Sequence, residues 1–300
     1  MKINRLLLSA FLVCGLLLSS CKQQSKQNET KKAPISNAYA PYYGIQLYTL
    51  RDMLANDVSQ AFSYIRGWGL QTVEGGPNTY GLSETDFKAL LDEFGLSLVS
   101  TGTDLEELQN NLEALVTRAN FYGAKYAMVS WIGHQKPFSL EDADKAISIM
   151  NEAGRLLKKE DITLVYHPHG YEFGAHDSAG TLLDYMIQSA EDFYFEMDTF
   201  WIQHGGGDPV ALLKQYPKAF KLMHLKDMKT GVVGDKSGSQ DVNDNVVLGT
   251  GQIPIAELVA MGKKTGVEYF FIEDESDRVL GQVPRSLTYL GIRVCDAEIG

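Results

Sequence analysis

The chain has 300 residues, 44% of them hydrophobic, and a formal net charge of −11, with 38 acidic against 27 basic side chains. A polyphosphate partner wants a basic face, so this balance argues against nucleic-acid binding. The length allows one large domain or two small ones.

The first stretch is not part of a fold. Lys2 and Arg5 precede an apolar run over 6–18, which ends at Leu18-Ser19-Ser20-Cys21. A membrane-spanning helix needs about 20 apolar residues, so this shorter run reads as a signal peptide over 1–21. Its end resembles a bacterial lipobox. That resemblance implies lipidation of Cys21 and an exported chain held at a membrane by its lipid anchor only. Residues 22–41 are polar and without apolar periodicity, which suits a flexible tether. Three cysteines are present, Cys14, Cys21 and Cys295. Cleavage removes the first and lipid consumes the second, so no internal disulfide is expected.

From residue 42 to 300, short β-rich runs alternate with longer helical ones. Strands are expected at 43–50, 72–75, 97–103, 126–132, 163–169, 194–201, 220–227 and 269–275. Helical patterns follow them, for example over 104–120, 139–159 and 254–265, where apolar residues recur at three- and four-residue spacing. Such alternation predicts parallel strands with helical crossovers. Eight units in this length predict an α/β fold of the closed (β/α)8 TIM barrel type. The alternative, a doubly wound open sheet, lacks its Gly-x-Gly-x-x-Gly turn after the first strand. Residues 228–252 form one long Gly-, Ser-, Asp- and Asn-rich interruption after the seventh strand. A loop of that length in a compact domain is usually functional, and a lid or substrate-contacting role is expected for it.

Chemistry concentrates at the expected strand ends. The fifth strand closes with Tyr166-His167-Pro168-His169, the sixth with Glu196-Met197-Asp198, the seventh with His224-Leu225-Lys226 and the eighth with Glu273-Asp274-Glu275. Side chains at i and i+2 share a strand face. Four neighbouring strands therefore each offer an imidazole or carboxylate to one volume. A bound divalent cation would satisfy groups that are otherwise costly to bury. Gln46, Tyr48 and Glu74 on the early strands and Trp201 at the end of the sixth are candidate substrate contacts, with barrel-layer packing the alternative for Gln46 and Tyr48 and core filling for Trp201. For Trp131 a place in the core is expected.

In this order the motifs resemble the sugar phosphate isomerase/epimerase proteins, a group of xylose-isomerase-like barrels. The resemblance runs from Gly44-Ile45-Gln46-Leu47-Tyr48 through Val73-Glu74, Tyr166-His167-Pro168-His169 with Glu172-Phe173, Met197-Asp198-Thr199-Phe200-Trp201, His224-Leu225-Lys226-Asp227 and Gly249-Thr250-Gly251 to Ile272-Glu273. It implies one divalent ion (Mn²⁺, Mg²⁺, Co²⁺ or Zn²⁺) on Asp198, His224 and Glu273, with His167 where many relatives carry Glu. A subgroup with Tyr-His-Asn-His at that place is similar, Pro168 standing for its Asn, and includes proteins implicated in processing 3-keto sugars and glycosides. The resemblance further implies proton abstraction beside a carbonyl, giving an enolate that Lys226 helps to stabilise. Glu273 is expected to move a proton as well as hold the ion, with His169 or Glu172 as the second acid/base. The expected substrate is a small non-phosphorylated sugar, ketose or glycoside, and the expected reaction is isomerisation or epimerisation. A keto-glycoside lyase or hydratase and a non-catalytic carbohydrate-binding lipoprotein are the alternatives. The oligomeric state stays open.

Overall fold

The computed structural model describes residues 42–292. The signal peptide, Cys21, the 22–41 tether and Cys295 lie outside the described residues. Eight parallel strands close into a barrel in sequence order: β1 (Tyr43–Gln46), β2 (Thr72–Gly75), β3 (Ser97–Thr103), β4 (Tyr126–Val129), β5 (Thr163–Tyr166), β6 (Tyr194–Asp198), β7 (Phe220–Leu225) and β8 (Tyr269–Ile272). Closure is made by β8 pairing with β1, Phe271 opposite Gly44. This closed ring rules out the open sheet. Gly44 suits that seam, because a Cβ there would stand 2.7 Å from the Phe271 ring and from the Thr72 carbonyl.

The helices form where local chemistry starts them. Ser139 and Asp142 make a reciprocal capping box for the helix Leu140–Leu157, satisfying backbone donors that the first turn leaves open. Thr181 and Asp184 do the same for Leu182–Ser189. Asp208 caps Pro209–Gln215, which begins with proline, the residue that lacks the donor a first turn cannot use. In Leu140–Leu157, Ala143, Ala146, Ile147, Met150, Ala153, Gly154 and Leu157 are buried. That three- and four-residue spacing lays one stripe on the sheet.

Two apolar clusters result. The larger lies between strands and helices. The smaller joins Val99, Tyr126, Met128, Val165, Leu222 and Phe271, residues from alternate strand positions that fill the barrel interior.

Several elements are shorter than the apolar pattern implies, and the causes are polar. The stretch 43–50 leaves extended geometry after Gln46, whose side chain accepts from Tyr48 N and starts a 3-10 turn over Leu47–Leu50. The stretch 194–201 stops at Asp198, whose Oδ1 accepts from Trp201 N at 2.8 Å and caps the helix Thr199–His204. The run 104–120 divides at Asn111 into Leu105–Asn110 and Leu112–Tyr122, because Asn111 sits at φ −148°, ψ 41°, outside helical geometry. Among the described residues, no helix is long and apolar enough to cross a membrane.

Candidate metal centre

His167 and Glu273 each sit one residue past their strand, yet both remain in the ladder. The His167 N–H donates to Val129 O at 2.9 Å and that of Glu273 to Leu225 O at 3.3 Å. Asp198 ends β6 and faces His224 across the β6–β7 pairing. Thr199 fastens this rim: its hydroxyl donates to Lys226 O at 2.8 Å and accepts from Lys226 N at 3.1 Å. Rigid backbone therefore sets the spacing of the side chains.

His167, Asp198, His224 and Glu273 converge, each offering one ligand atom, with those atoms all within 4.8 Å of one another. All four are buried. His167 Nε2 lies 3.3 Å from Asp198 Oδ2, and His224 Nδ1 lies 3.2 Å from Glu273 Oε2 and 3.7 Å from Asp198 Oδ2. His167 Nδ1 and His224 Nδ1 are buried without a hydrogen-bond partner, although buried polar atoms are nearly always satisfied. Two imidazoles and two carboxylates with unsatisfied nitrogens suit a borderline divalent ion. Their charge sums to neutral with such an ion, and a neutral site is a stronger Lewis acid than an anionic one.

Without an ion, burial alone would lower His224, but Glu196, Glu273 and Glu74 outweigh it and lift the ring well above the ordinary imidazole value, a positive charge that a bound cation would replace. Burial alone would raise Asp198, but Lys226 and the two imidazoles hold its carboxyl well below the usual range. Burial is likewise overcome at Glu273, which Lys226 and His224 bring down to about 2. Both carboxylates are therefore ionised and ready to ligate. Burial, reinforced by His167, drives His169 well below the ordinary imidazole value, so it is neutral at pH 7. Lys226 stays charged despite burial, because Glu273, Glu275 and Asp198 surround it.

These donors open on a cavity of about 540 Å³ lined by Gln46, Tyr48, His167, His169, Trp201, His224, Glu273 and Glu275 among others. The candidate contacts Gln46, Tyr48 and Trp201 thus stand on its wall. Asp198, Glu74, Glu172 and Lys226 do not, Asp198 lying buried beneath the wall beside the other donors. Glu74 is fully buried, its Oε1 taken by Gln46 Nε2 at 2.7 Å and His224 Nε2 at 2.6 Å, so it lies behind the wall rather than at a substrate. Glu172 is also fully buried; it accepts from Tyr166 OH and from the backbone N–H of His169 at 3.1 Å. Because the chain turns back after His169, Glu172 supports that loop, and of the expected acid/base pair His169 alone reaches the cavity. Lys226 is sealed beneath Phe200 and Trp201 at 5.4 and 5.3 Å and pairs with Glu273 and Glu275; it orders those carboxylates.

Other wall residues were not legible. Trp131, expected in the core, is 42% exposed and lines the cavity, stacked on His134 at 5.5 Å. It follows β4 by two residues, so strand alternation gives no information about its direction. Arg51, over the Tyr48 ring at 4.7 Å, joins it on the rim. Glu196 is fully buried, two residues below Asp198 on the same face, and burial and Glu74 push its carboxyl up to about 7. The long loop does reach the cavity. Gly238 lines it at φ +67°, where a Cβ would come within 3.2 Å of the Trp131 ring. Gln240 Nε2 donates to Glu275 Oε1 at 3.0 Å.

A closed parallel barrel with buried donors gathered at the carboxyl ends of its strands is a TIM barrel carrying a candidate metal centre. The chain belongs to the Xylose isomerase-like TIM barrel family, which its residues 62–290 match. It is 27% identical over 199 residues to an inosose dehydratase of Clostridium beijerinckii, a stretch covering 59% of this chain and 66% of that protein. A crystal structure of a sugar phosphate isomerase/epimerase from Parabacteroides distasonis superimposes with a TM-score of 0.69 at 21% identity, covering 84% of this chain and 98% of that one. The IOLI protein, solved with a bound zinc atom, gives a TM-score of 0.62 at 12% identity over 85% of this chain and 98% of its own.

Proposed function

We propose that this protein is a divalent-metal-dependent enzyme acting on a non-phosphorylated sugar or cyclitol ketone, taking a proton beside the carbonyl and expelling the group one carbon further on. The observation that carries the reading is one cavity whose wall bears His167, His224 and Glu273 of the four-donor cluster together with an imidazole outside it, His169, whose Nδ1 has no partner. His167, Asp198, His224 and Glu273 would hold the ion, which would polarise the ketone and stabilise negative charge developing on its oxygen.

The proton chemistry falls to the chain itself. His169, neutral and wedged between Trp131 at 5.4 Å and Trp201 at 5.2 Å, takes the proton from the α-carbon. The C–H electron pair becomes the new C=C bond, and the C–O bond at the β-carbon breaks. The leaving oxygen takes up the proton that His169 has just accepted and departs as water or an alcohol, which returns His169 to its neutral form. Glu273, ionised, stays with the donor cluster and does not carry the proton. The dehydratase relatives support elimination. So does the presence of His167 where a second carboxylate would complete a symmetric pair, since epimerisation needs a base on each face. Arg51 is the one Lys or Arg on the cavity wall among the described residues, which suits an uncharged substrate better than a phosphorylated one.

Isomerisation is the second reading, supported by the likeness to the Parabacteroides distasonis isomerase/epimerase. One experiment separates them. Metal-loaded protein is incubated with inosose, free keto-sugars and keto-glycosides in deuterated water, and products are read by NMR. An unsaturated product supports elimination. A moved carbonyl with deuterium at carbon supports isomerisation. Binding without turnover of any of these would leave a carbohydrate-binding protein.

A further inference from the structure

His224 is engaged from both sides. Its Nε2 meets Glu74 Oε1 at 2.6 Å, while its Nδ1 faces Glu273 and Asp198 and has no hydrogen-bond partner. A neutral imidazole that donates from one nitrogen carries its lone pair on the other. The direction of the Glu74 contact therefore decides which nitrogen serves a cation.

That direction is fixed by the backbone of β1. Gln46 Oε1 accepts from Tyr48 N at 3.1 Å, so the amide turns its Nε2 to Glu74, 2.7 Å away. Gln46 and Glu74 are register partners across β1 and β2. Glu74 is fully buried, and its Oε1 receives both donors while its Oε2 has none. Glu196 approaches the same His224 nitrogen but stands at 3.2 Å, and neither of its oxygens makes a hydrogen bond. The closer carboxylate, itself held by a second donor, controls the ring.

We propose that Glu74, oriented by Gln46, is the positioning residue that fixes His224 with a proton on Nε2 and turns the Nδ1 lone pair toward a divalent ion. This rests on the metal-centre reading and deepens it. It also moves Glu74 from substrate recognition to support of the centre. Partners of this kind orient a ligating histidine and raise its basicity, and removing one typically costs about 10–100-fold in metal affinity. Glu74, Glu196 and His224 also lie close enough to be read as a second cation site. That site would need the lone pair on Nε2, so the two arrangements exclude one another at His224.

The test is calorimetric titration of chelator-treated protein with Zn²⁺, joined to long-range ¹H–¹⁵N correlation of the zinc-loaded histidines. The proposal expects one Zn²⁺ per wild-type chain and His224 bound through Nδ1 with Nε2 protonated. Glu74→Ala should weaken zinc binding by about 10–100-fold. Glu74→Gln, whose amide oxygen still accepts from Nε2–H, should recover most of that loss, which a purely packing role would not require. If Glu74→Ala does not fold, the wild-type ¹⁵N spectrum and Glu74→Gln still decide the matter. A second tightly bound ion, or unchanged affinity in Glu74→Ala, overturns the proposal while leaving the metal-centre reading intact. Zinc on Nε2 overturns the proposal and moves the ion to Glu74 and Glu196. No zinc binding by the wild type overturns both.

Discussion

Single residues here divide labour by atom. Asp198 shows this best: Oδ1 caps a helix through Trp201 N at 2.8 Å, while Oδ2 faces His167 and His224. One carboxylate thus ends a strand, starts a helix and points at the candidate ion. Asp198→Ala and His224→Ala should lose metal and turnover together, checked by metal analysis alongside product assays. His169→Asn should instead keep its metal while turnover falls by about 10²–10⁴-fold, the usual worth of an acid/base group. Near-normal turnover in that variant would remove His169 from the chemistry. Period-two alternation made the face-sharing pairs 167/169, 196/198, 224/226 and 273/275 readable, and the family resemblance chose Asp198, His224 and Glu273 within them. Glu172 and Lys226 read as reactive for the same chemical reasons, yet packing turns them away. A sequence shows which groups are polar but not which are roofed over by Phe200 or tied down by Tyr166.

At the scale of elements, strand number and order were legible because short β-rich runs alternate with runs of three- and four-residue apolar spacing. Boundaries were not, since they are set by side chains returning to the backbone, as Gln46 and Asp198 do. The segment between β7 and β8 could be recognised from composition, but not its anchorage. Asp227 supplies that, accepting from the backbone N–H groups of Met228, Gly249, Gly251 and Ile253 at 2.8–3.1 Å. The strand pairing of Asp227–Met228 with Asn245–Val246 closes its base. Hydrogen bonds to a charged acceptor contribute about 1.5–3 kcal/mol each, so Asp227→Ala should lower the thermal midpoint. Hydrogen exchange should accelerate at Gly249, Gly251 and Ile253 before it does in the barrel strands. Uniform acceleration across all strands would mean that Asp227 supports the barrel rather than the loop.

For the whole molecule, folding and metal binding are linked. The donor cluster is assembled from four strands, and only the closed barrel brings it together. An ion at about 100 times its dissociation constant would therefore add about 2.7 kcal/mol to stability. Chelation should lower the thermal midpoint reversibly, and restoring Mn²⁺, Co²⁺ or Zn²⁺ should return it. An unchanged midpoint would argue against an ion at these residues. We further propose that the chain is held at a membrane by lipid on Cys21. Cys21→Ala should move the protein from the membrane fraction to the soluble one, and a variant that stays membrane-bound after a salt wash would place the anchor elsewhere.

Trp131 gives the barrel a reporter of its own. Of the three tryptophans, Trp68 and Trp201 are 5% and 3% exposed, while Trp131 is 42% exposed on the cavity wall. The water-facing share of the intrinsic fluorescence therefore arises beside the donor cluster. A sugar has no chromophore, but a sugar that displaces water from that indole shifts the emission to shorter wavelength. Occupancy can then be followed by light alone, before any product is known, and Trp131→Phe supplies the blank.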